Sequence, residues 1–597
     1  MSTRIRLLVA LGIAALTAAA MAPGLGGQLL NWDDDRFVED NPIVHGLSLS
    51  NVKAIFAKPH QEAYHPLHLL SYTVDHALYG LWAPGYKIHN LLLYLLSLLL
   101  LYRLLLRLDL APAAALAGVL VFAVHPLHVE VVVWISARKE PLSLCFMLGA
   151  ALLHLSSTSW RDWRRGAALL LFGLALLTKT STVVLPLLLL ALELLQRRRR
   201  LSSSLLGVAP MLLLALGVGL YVMGLWQESE MVRPRPQSLG GGVALVLESI
   251  GHHLGKLLLP IRLSPVYPID RAGSFGLTAG LGLAGLLGLG LLLWRVRPAR
   301  LAVAWLLLSL LPVINLVPVY FFVQDRYAFI PSVALALGVA AAVEATGRDR
   351  MAVGAAIAVA ALLAVLSGLQ ASHWRTSRAL WEHAVRVQPG SYYAHLAQGH
   401  TRRRDGEPAA ALQSYRAAIE LQPGFPAARI ALCLADADRI ASRTGKKSAA
   451  DRIQQQLQHW WASAPALLDL SGQLIQRSQL TCAVLAESRA FELQTPDPGH
   501  RIIAASRWTL AGQPQLALRH LSSVDADGLP AALRAAHAEV QAQALLLLGR
   551  RPEADAAFAR SLQLAPRSAQ SLESAAHKLE HHGRHELARF YREHARD

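Results

Sequence analysis

Long apolar runs separated by short polar segments dominate the first 370 residues, and no later run is long enough to cross a bilayer. A membrane-spanning helix needs about 20 mostly apolar residues, and helices satisfy their own backbone within lipid. We therefore predict an all-α fold, with a polytopic membrane domain over residues 1–370 and a helical domain over residues 371–597. About eleven spans are predicted, near residues 7–23, 88–105, 111–124, 141–157, 167–178, 180–195, 204–224, 275–294, 301–320, 328–345 and 351–370.

Arginine clusters recur after every second predicted span, and the positive-inside rule places all of them in the cytoplasm. The N-terminus is then cytoplasmic, and the first span is expected to stay as an anchor rather than to be cleaved as a signal peptide. With an odd number of spans, loops 24–87, 125–140, 225–274 and 321–327 face the opposite side, together with the C-terminal domain. The clusters are Arg4/Arg6, Arg103/Arg107, Arg161/Arg164/Arg165, Arg197–Arg200, Arg295/Arg297/Arg300 and Arg348/Arg350.

The C-terminal domain has the period of a helical repeat. Pro389 and Pro423 are separated by the 34-residue spacing of tetratricopeptide (TPR) repeats. The second helix of each unit fits the TPR pattern better than the first, where His395 and Arg402 replace the usual Trp and Tyr. We predict a TPR-like α-solenoid that binds a protein or peptide, with a generic array of helical hairpins as the alternative. Small and aromatic residues at packing positions are Gly399, Gly406, Ala411, Tyr415, Ala418, Gly549, Ala554 and Phe558.

Composition supports a membrane protein and excludes several other classes. Of the 597 residues, 16% are charged and 54% are hydrophobic, and the mean hydropathy is +0.36. These values argue against a soluble globular domain, a disordered chain and a collagen. Three cysteines exclude a disulfide-built fold. The basic loops of a membrane protein account for the net charge of +17. No nucleic-acid partner is therefore expected.

An acidic segment follows the first predicted span. It contains Asp33, Asp34 and Asp35, and Asn41-Pro42 comes soon after. Adjacent carboxylates at a membrane surface repel one another, which raises a pKa unless a cation or a hydrogen-bond donor stabilises them. Such a pair can act as a general base or hold a divalent metal. A solvated acidic loop without a catalytic role is the alternative.

Histidines mark two of the loops predicted to face outward. One loop carries His65, His68, His89 and Asn90, and the other carries His125, His128 and Glu130. Two histidines and a glutamate are possible zinc ligands. However, the spacing of 125, 128 and 130 does not place them well on one helical face, and a proline lies between the histidines. A hydrogen-bonded surface turn is therefore favoured over a metal site.

Four cations, Arg138, Lys139, Lys179 and Arg326, lie at the outward ends of predicted spans, against the usual charge bias. Cations retained there indicate an anionic ligand such as a phosphate. The alternatives are ion pairs with Glu130 or Glu140, a pair between Arg326 and Asp325, and snorkelling of Lys179 from a span end. Helix-like spacing of Glu248, His252, His253 and Lys256 predicts an interfacial helix in loop 225–274.

These motifs resemble one family along nearly the whole chain: the multi-span mannosyltransferase-like proteins with transmembrane and tetratricopeptide repeats, in their bacterial form. The string over residues 125–139 is the most specific part. The motifs are Asp33-Asp34, Asn41-Pro42, His65-Pro66-x-His68, Lys87-x-His89-Asn90, Phe122-Ala123-x-His125-Pro126-x-His128-x-Glu130, Trp134-Ile135-Ser136-x-Arg138-Lys139, Leu177-Thr178-Lys179, Asp325-Arg326-Tyr327 and Pro331-Ser332.

The family is similar to the GT-C fold of polyprenol-dependent glycosyltransferases. This resemblance implies a lipid-phosphate sugar as donor and an acceptor on the outer face of the membrane. It also implies that Asp34, with Asp33 beside it, is catalytic, and leaves Asp35 unassigned. The phosphate of the donor is then expected at Arg138, Lys139, Lys179 and Arg326. For a bacterial member, it implies the inner membrane, with the repeats in the periplasm.

The chemistry of the transfer agrees with the residues. A polyprenyl phosphate leaves more readily when cations neutralise it, and an acceptor hydroxyl needs a carboxylate to take its proton. We therefore expect an integral-membrane glycosyltransferase that moves a sugar to Ser or Thr hydroxyls of an exported protein, with mannose as the candidate sugar. The alternatives are a glycan or lipid acceptor, or a membrane-anchored scaffold without catalysis. A transporter is disfavoured because no duplication of the first half is visible.

Two further expectations concern cofactors and redox chemistry. No organic cofactor is expected, and a divalent cation, Mg²⁺ or Mn²⁺, is left open because the acidic pair suits either metal binding or base catalysis. If the repeats lie in an oxidising compartment, Cys433 and Cys482 are candidates for a disulfide.

Overall fold

The computed structural model describes residues 2–60, 64–159, 161–197, 200–228, 238–268, 275–317, 322–347, 350–423, 427–428, 431–432, 435, 497–581 and 584–596. These residues form helices and no β-strand, so the predicted all-α fold of a polytopic membrane protein is confirmed. Cys433 and Cys482 lie outside the described residues. The chain divides into two compact units, Met1–Thr401 and Arg402–Asp597.

Fifteen α-helices precede residue 374 in the part of the chain that the structure describes. They are α1 Thr3–Leu25, α2 Leu49–Ala57, α3 Pro66–Tyr79, α4 Ala83–Arg107, α5 Pro112–Ala123, α6 His128–Val133, α7 Lys139–Ser156, α8 Trp163–Thr178, α9 Leu185–Ala191, α10 Leu201–Glu228, α11 Leu239–Leu258, α12 Leu277–Arg295, α13 Arg300–Leu310, α14 Val333–Ala345 and α15 Arg350–His373. Short 3₁₀ or π segments lie at Asp35–Glu39, Pro42–Val44, Ile135–Arg138, Thr180–Val184, Leu192–Gln196, Arg297–Ala299 and Asp325–Ala328.

Within the described residues, five helices are long and apolar enough to cross a membrane: Thr3–Leu25, Ala83–Arg107, Leu201–Leu225, Leu277–Arg295 and Arg350–His373. Shorter apolar helices cover Pro112–Ala123, Thr180–Gln196 and Val333–Ala345, where three further spans are predicted. The predicted spans at 141–157 and 167–178 fall on α7 and α8, whereas α13 covers the span predicted at 301–320 only as far as Leu310. The predicted helix of loop 225–274 is α11.

Side-chain caps and small residues explain several of these elements. The Ser48 hydroxyl accepts the Asn51 N–H at the start of α2, as an N-cap does, and Pro66 and Pro112 begin α3 and α5. Helices α11 and α12 meet at Gly251 and Gly282. A Cβ atom on either glycine would lie about 2 Å from a backbone oxygen of the other helix, so this close approach requires glycine.

The packing of the first unit gathers the loops that carry polar residues. Helix α7 packs between α4 and α8, α5 packs against α14, and α1 packs against α15. Small residues fill the core shared by α5, α14 and α15, including Ala114, Ala117, Ala356 and Ala360. Helix α16, Ser377–Val387, and the greater part of α17, Tyr392–Arg404, also belong to this unit, although composition assigns residues 371–401 to the repeat domain. The functional boundary predicted at residue 370 stays a prediction.

The second unit is made of paired helices. Its described helices are α18 Pro408–Leu421, α19 Pro498–Leu510, α20 Pro514–Leu521, α21 Ala531–Leu547, α22 Arg551–Leu564, α23 Ala569–His581 and α24 His585–Arg596. Tight turns with left-handed glycines, Gly512 and Gly549, join α19 to α20 and α21 to α22. Phe558 and Tyr591 are buried between neighbouring pairs. The TPR assignment itself stays a prediction.

Candidate functional site

The acidic loop, residues 26–35, follows α1 and is anchored by Asp34. The Asp34 side chain is fully buried. Its Oδ1 accepts hydrogen bonds from the backbone N–H (3.0 Å) and the hydroxyl (2.6 Å) of Ser136, and its Oδ2 accepts the Leu30 N–H (3.0 Å). Both carboxylate oxygens are therefore used to join the acidic loop to the 3₁₀ segment Ile135–Arg138.

Burial raises the pKa of the Asp34 carboxyl from 3.8 to about 6, because loss of solvation outweighs the donors from Ser136 and Leu30. A carboxyl with a raised pKa is a better general base than an ordinary aspartate. However, a base must also reach the proton that it removes, and the hydrogen bonds of Asp34 point into the protein. These hydrogen bonds anchor the acidic loop, and the catalytic role predicted for Asp34 stays a prediction.

Asp33 is the most accessible of the three consecutive acids. Its side chain is 26% exposed and lies 3.9 Å from the Arg36 guanidinium. Its backbone φ is +65°, in the left-handed region that few residues other than glycine adopt. Asp35 is buried, and its carboxylate accepts the Arg36 N–H at 3.0 Å. The acidic loop thus presents one carboxylate outward and turns the next two into the protein.

Arg138 lies in a buried network that sequence reasoning missed. Its guanidinium pairs with Asp75 of α3, with both side chains fully buried. It also donates to Asn90 Oδ1 (2.7 Å) and to the Tyr86 carbonyl (2.9 Å). His89 Nδ1 lies 2.5 Å from Asp75 Oδ1. Three predicted site residues, Arg138, His89 and Asn90, therefore lie in one network around an acid that no motif indicated.

The alternative drawn from the sequence is an ion pair of Arg138 with Glu130 or Glu140. This alternative is wrong, because both glutamates pair with other cations. In the sequence, Asp75 is the single carboxylate of an otherwise weakly polar segment, Pro66–Tyr79. An unpaired charge there would be costly, which indicates a cationic partner.

Glu130 and Arg326 form a second buried pair, with 2.6 Å between Oε1 and Nη1. The guanidinium also stacks over the Trp134 ring, 4.7 Å from its centroid. Asp325 is not the partner of Arg326, since its carboxylate accepts the Tyr267 hydroxyl (2.7 Å) and the Ser264 N–H (3.0 Å). Burial raises the pKa of Glu130 to about 7 despite this cation, so the pair is held in a poorly solvated place.

The side chains of Lys179 and Glu140 form a third pair, 12% and 1% exposed. Lys179 lies at the junction of α8 and the 3₁₀ segment Thr180–Val184. The next residue, Thr180, places its hydroxyl 3.4 Å from His65 Nε2. Lys179 therefore faces the loop that carries His65, and a carboxylate balances its charge.

Lys139 is the cation without a carboxylate at ion-pair distance among the described residues. Its amino group lies 5.9 Å from the centre of the Phe37 ring. Burial, followed by the nearby Arg326 guanidinium, lowers the pKa of Lys139 from 10.5 to about 8, while Glu140 and Asp33 act in the opposite direction. The ammonium group thus lies among Asp33, Glu140, Lys179 and Arg326, where an anion would stabilise it.

Three of the predicted site histidines, His68, His125 and His128, are buried and hydrogen-bonded. His68 Nε2 lies 2.7 Å from the Tyr72 hydroxyl. His125 Nε2 contacts the Leu257 carbonyl at 3.0 Å, and His128 lies between the Tyr94 hydroxyl (2.7 Å) and the Ser332 hydroxyl (2.8 Å).

The surface turn predicted for His125 and His128 is wrong in one respect, because both rings are buried. Burial also lowers the pKa of His65 to about 3 and of His125 to about 4, so both imidazoles are neutral at physiological pH. In the part of the chain that is described, no group of three or more His, Cys, Asp or Glu side chains could hold a metal ion.

The predicted site residues therefore separate into three groups. Asp33, Lys179 and Arg326 lie within electrostatic range of Lys139, Arg326 pairs with Glu130, and Lys139 in turn acts on His65 and His68. Arg138, His89 and Asn90 surround Asp75. His125 and His128 lie between α4, α11 and α14, and Asp325 faces Tyr267.

Two comparisons with known proteins indicate which family this chain resembles. Residues 42–222 match the family model described as dolichyl-phosphate-mannose-protein mannosyltransferase. A stretch of 145 residues is 30% identical to the Protein O-mannosyl-transferase F38B6.6 of Caenorhabditis elegans, over 22% of this chain and 21% of that protein. The chain thus aligns with about a fifth of the length of this relative. The family match includes Arg138, Lys139 and Lys179 but begins after Asp33 and Asp34.

Both matches support membership of this chain in the GT-C mannosyltransferase-like family, which the motifs predicted. They also support a membrane glycosyltransferase of the GT-C type.

Proposed function

We propose that this member of the GT-C mannosyltransferase-like family transfers a sugar from a polyprenyl-phosphate donor to Ser or Thr hydroxyls of an exported protein. Mannose is the first sugar to test, because the matched family and the nematode relative both carry it in their descriptions. We place the protein in a bacterial inner membrane as a multi-pass chain, with its N-terminus in the cytoplasm and the C-terminal repeats in the periplasm.

The observation that carries the proposal is that an accessible carboxylate lies near a cation with no carboxylate at ion-pair distance among the described residues. Asp33 is the accessible acid, and Lys139 is the cation without its own carboxylate in the described structure. A phosphate placed beside Lys139 would also lie near the Lys179–Glu140 and Arg326–Glu130 pairs. Because carboxylates already pair with Lys179 and Arg326, Lys139 is the cation of this group that has no ion-pair partner of its own to compete with a phosphate leaving group.

In the proposed reaction, the acceptor hydroxyl oxygen attacks the anomeric carbon of the sugar, and the bond from that carbon to the phosphate oxygen breaks. The hydroxyl proton passes to the Asp33 carboxylate. Polyprenyl phosphate leaves with the bonding electrons, and Lys139 stabilises its new negative charge. Lys179 and Arg326 would strengthen this field, whereas Arg138 and Asp34 would hold the surrounding segments in place.

The test is glycan mass spectrometry on exported proteins from cells that carry the wild-type protein, Asp33→Asn, Asp34→Asn or a gene deletion. Asp33→Asn is expected to lower transfer at least about a hundredfold, as loss of a general base does, with unchanged expression and thermal stability. Asp34→Asn is expected to lower thermal stability as well, because its carboxylate accepts three hydrogen bonds. Full transfer by Asp33→Asn would exclude Asp33 as the base.

The other acceptor classes are outcomes of the same experiment. If the deletion changes no protein glycan but alters a membrane glycolipid or a surface glycan, the acceptor is a lipid or glycan. If Asp33→Asn, Asp34→Asn and Lys139→Gln all behave as wild type while the deletion has an effect, the protein acts as a non-catalytic scaffold.

A further inference from the structure

The acidic loop is attached to a segment that composition assigns to the repeat region. We call residues 374–401 the junction segment; it runs from the end of α15 through α16 into α17. The Gln28 N–H donates to the Arg375 carbonyl at 3.0 Å, and the Asn31 N–H donates to the Ser377 hydroxyl at 3.0 Å. Gly27 approaches so closely that an added Cβ would lie 2.3 Å from the Arg375 carbonyl oxygen.

Asn31 is the centre of this attachment. Its Nδ2 donates to the Thr401 hydroxyl at 2.9 Å, and its Oδ1 accepts the indole N–H of Trp381 at 2.7 Å. Since indole nitrogen can only donate, the orientation of the Asn31 amide is determined by its partners. The residue is 7% exposed, so loss of one partner would leave a buried polar group unsatisfied.

Trp32 continues the attachment through aromatic contacts. Its ring lies 5.9 Å from that of Trp134 and meets the rings of Trp381 (5.4 Å) and Tyr393 (5.5 Å) edge-on. The Trp32 carbonyl accepts the Trp134 indole N–H at 2.6 Å. Both residues that precede Asp33 are therefore held by the junction segment, with Trp134 holding Trp32 from the other side.

The backbone of Asp33 needs such support. A left-handed conformation costs energy for any residue with a Cβ atom, although less for aspartate than for most, and contacts of the neighbouring residues help to hold it. On the N-terminal side of Asp33, the junction segment holds Asn31 and Trp32. On the C-terminal side, Ser136 holds Asp34.

We propose that the junction segment is a positioning element of the active site, in which Trp381 and Thr401 act through Asn31 to hold the Asp33 carboxylate in its reactive place. The catalytic unit then extends to residue 401 rather than ending at the last membrane helix. The effect on transfer rests on the proposed function, whereas the effect on the conformation of the acidic loop does not.

The first test compares Thr401→Val with Thr509→Val in the full-length protein. Both hydroxyls are buried and donate to the carbonyl four residues earlier, but only that of Thr401 also accepts from Asn31. We expect Thr401→Val to lower kcat about fivefold to tenfold, the effect of a lost buried hydrogen bond, with KM for the donor unchanged. Thr401→Ser should restore kcat, and Thr509→Val should match wild type. Equal kcat for the two valine variants would overturn the proposal.

The second test uses a steric wedge and does not depend on activity. A Cβ on Gly27 would meet Arg375, whereas nothing lies within 4 Å of a Cβ on Gly26. Hydrogen exchange of peptides covering residues 28–36 should be faster in Gly27→Ala than in Gly26→Ala. Equal protection in both variants would disprove the attachment.

The two tests separate the two proposals. If wild-type protein transfers no sugar but Gly27→Ala still loosens the acidic loop, the proposed function fails and the attachment stands. If wild type transfers sugar and Thr401→Val behaves like Thr509→Val, the positioning role fails while the proposed function stands.

Discussion

Ion pairs occur in both compact units, and the most deeply buried of those between described residues lie in the first unit. In the first unit, the side chains of Arg138 and Asp75 are fully buried, and Arg326–Glu130 is nearly so. In the second unit, the side chains of Arg550 and Glu553 are 51% and 55% exposed. A buried pair requires desolvation of both charges, so it persists only with close geometry and further hydrogen bonds. An exposed pair in water contributes little.

The comparison shows where charge is costly and therefore informative. The first unit retains three buried or nearly buried pairs, and two of them lie near Lys139, although apolar side chains could be packed there without the cost of desolvating charges. The pairs of the second unit, among them Arg551–Asp555 and Arg592–Glu580, lie on surfaces of helices. Charges of the first kind indicate a functional site, and those of the second kind are compatible with solubility alone.

The largest effect is expected from breaking one buried pair. Asp75→Asn would leave the Arg138 guanidinium buried without its counter-charge, which destabilises a protein by about 3–5 kcal/mol. We expect a strong fall in the yield of folded protein and in its thermal midpoint, measured by size-exclusion chromatography after heating in detergent. Glu553→Gln is the matched control in the exposed set. A thermal midpoint for Asp75→Asn equal to that of the control would show that burial does not distinguish the two regions.

The second prediction concerns the direction of pH dependence. Because burial raises the folded-state pKa of Glu130 to about 7 from 4.5, the folded state binds more protons than the unfolded state between these values. The contribution of Glu130 to stability therefore falls as pH rises from about 4.5 to about 7. For Glu553, whose pKa is lowered by Arg550, the contribution is present above pH 4.5 and is lost as pH falls.

Glu130→Gln removes this titration and is expected to destabilise the protein by about 1–3 kcal/mol at neutral pH, since Arg326 loses a charged acceptor. It should also flatten the slope of thermal midpoint against pH between about 4.5 and 7. Glu193→Gln, which removes another buried carboxylate, near His154, is the matched control. If Glu130→Gln keeps the wild-type slope, Glu130 is not the group that titrates.

The third prediction concerns Lys139. With a pKa lowered to about 8, its ammonium form is lost as pH rises through 8, and with it the attraction for a donor phosphate. We expect KM for the polyprenyl-phosphate donor to rise about tenfold between pH 7 and pH 9. Lys139→Arg keeps its charge over this range and should abolish the rise. A KM that rises equally in wild type and Lys139→Arg would assign the titration to another group.

The sequence predicted the cations of the site but not their partners. Apolar runs and the charge bias were sufficient to single out Arg138, Lys139, Lys179 and Arg326, because both signals are local. Whether a cation is already neutralised depends on residues far apart in the chain, as with Asp75 and Arg138. The same limit applies to Asn31 and Trp381, whose hydrogen bond joins residues far apart in the chain.

The smallest effect is expected from breaking an exposed ion pair of the second unit, Arg550–Glu553. Glu553→Gln removes one carboxylate from the first turn of α22, where solvent and salt already screen its attraction to Arg550. The thermal midpoint of the second unit should not shift measurably at physiological salt, and any difference seen at low salt should vanish when salt is added. A large loss that persists in high salt would mean that this pair supports the fold as the buried pairs do. The contrast between the two units would then lie in their position in the chain rather than in their solvation.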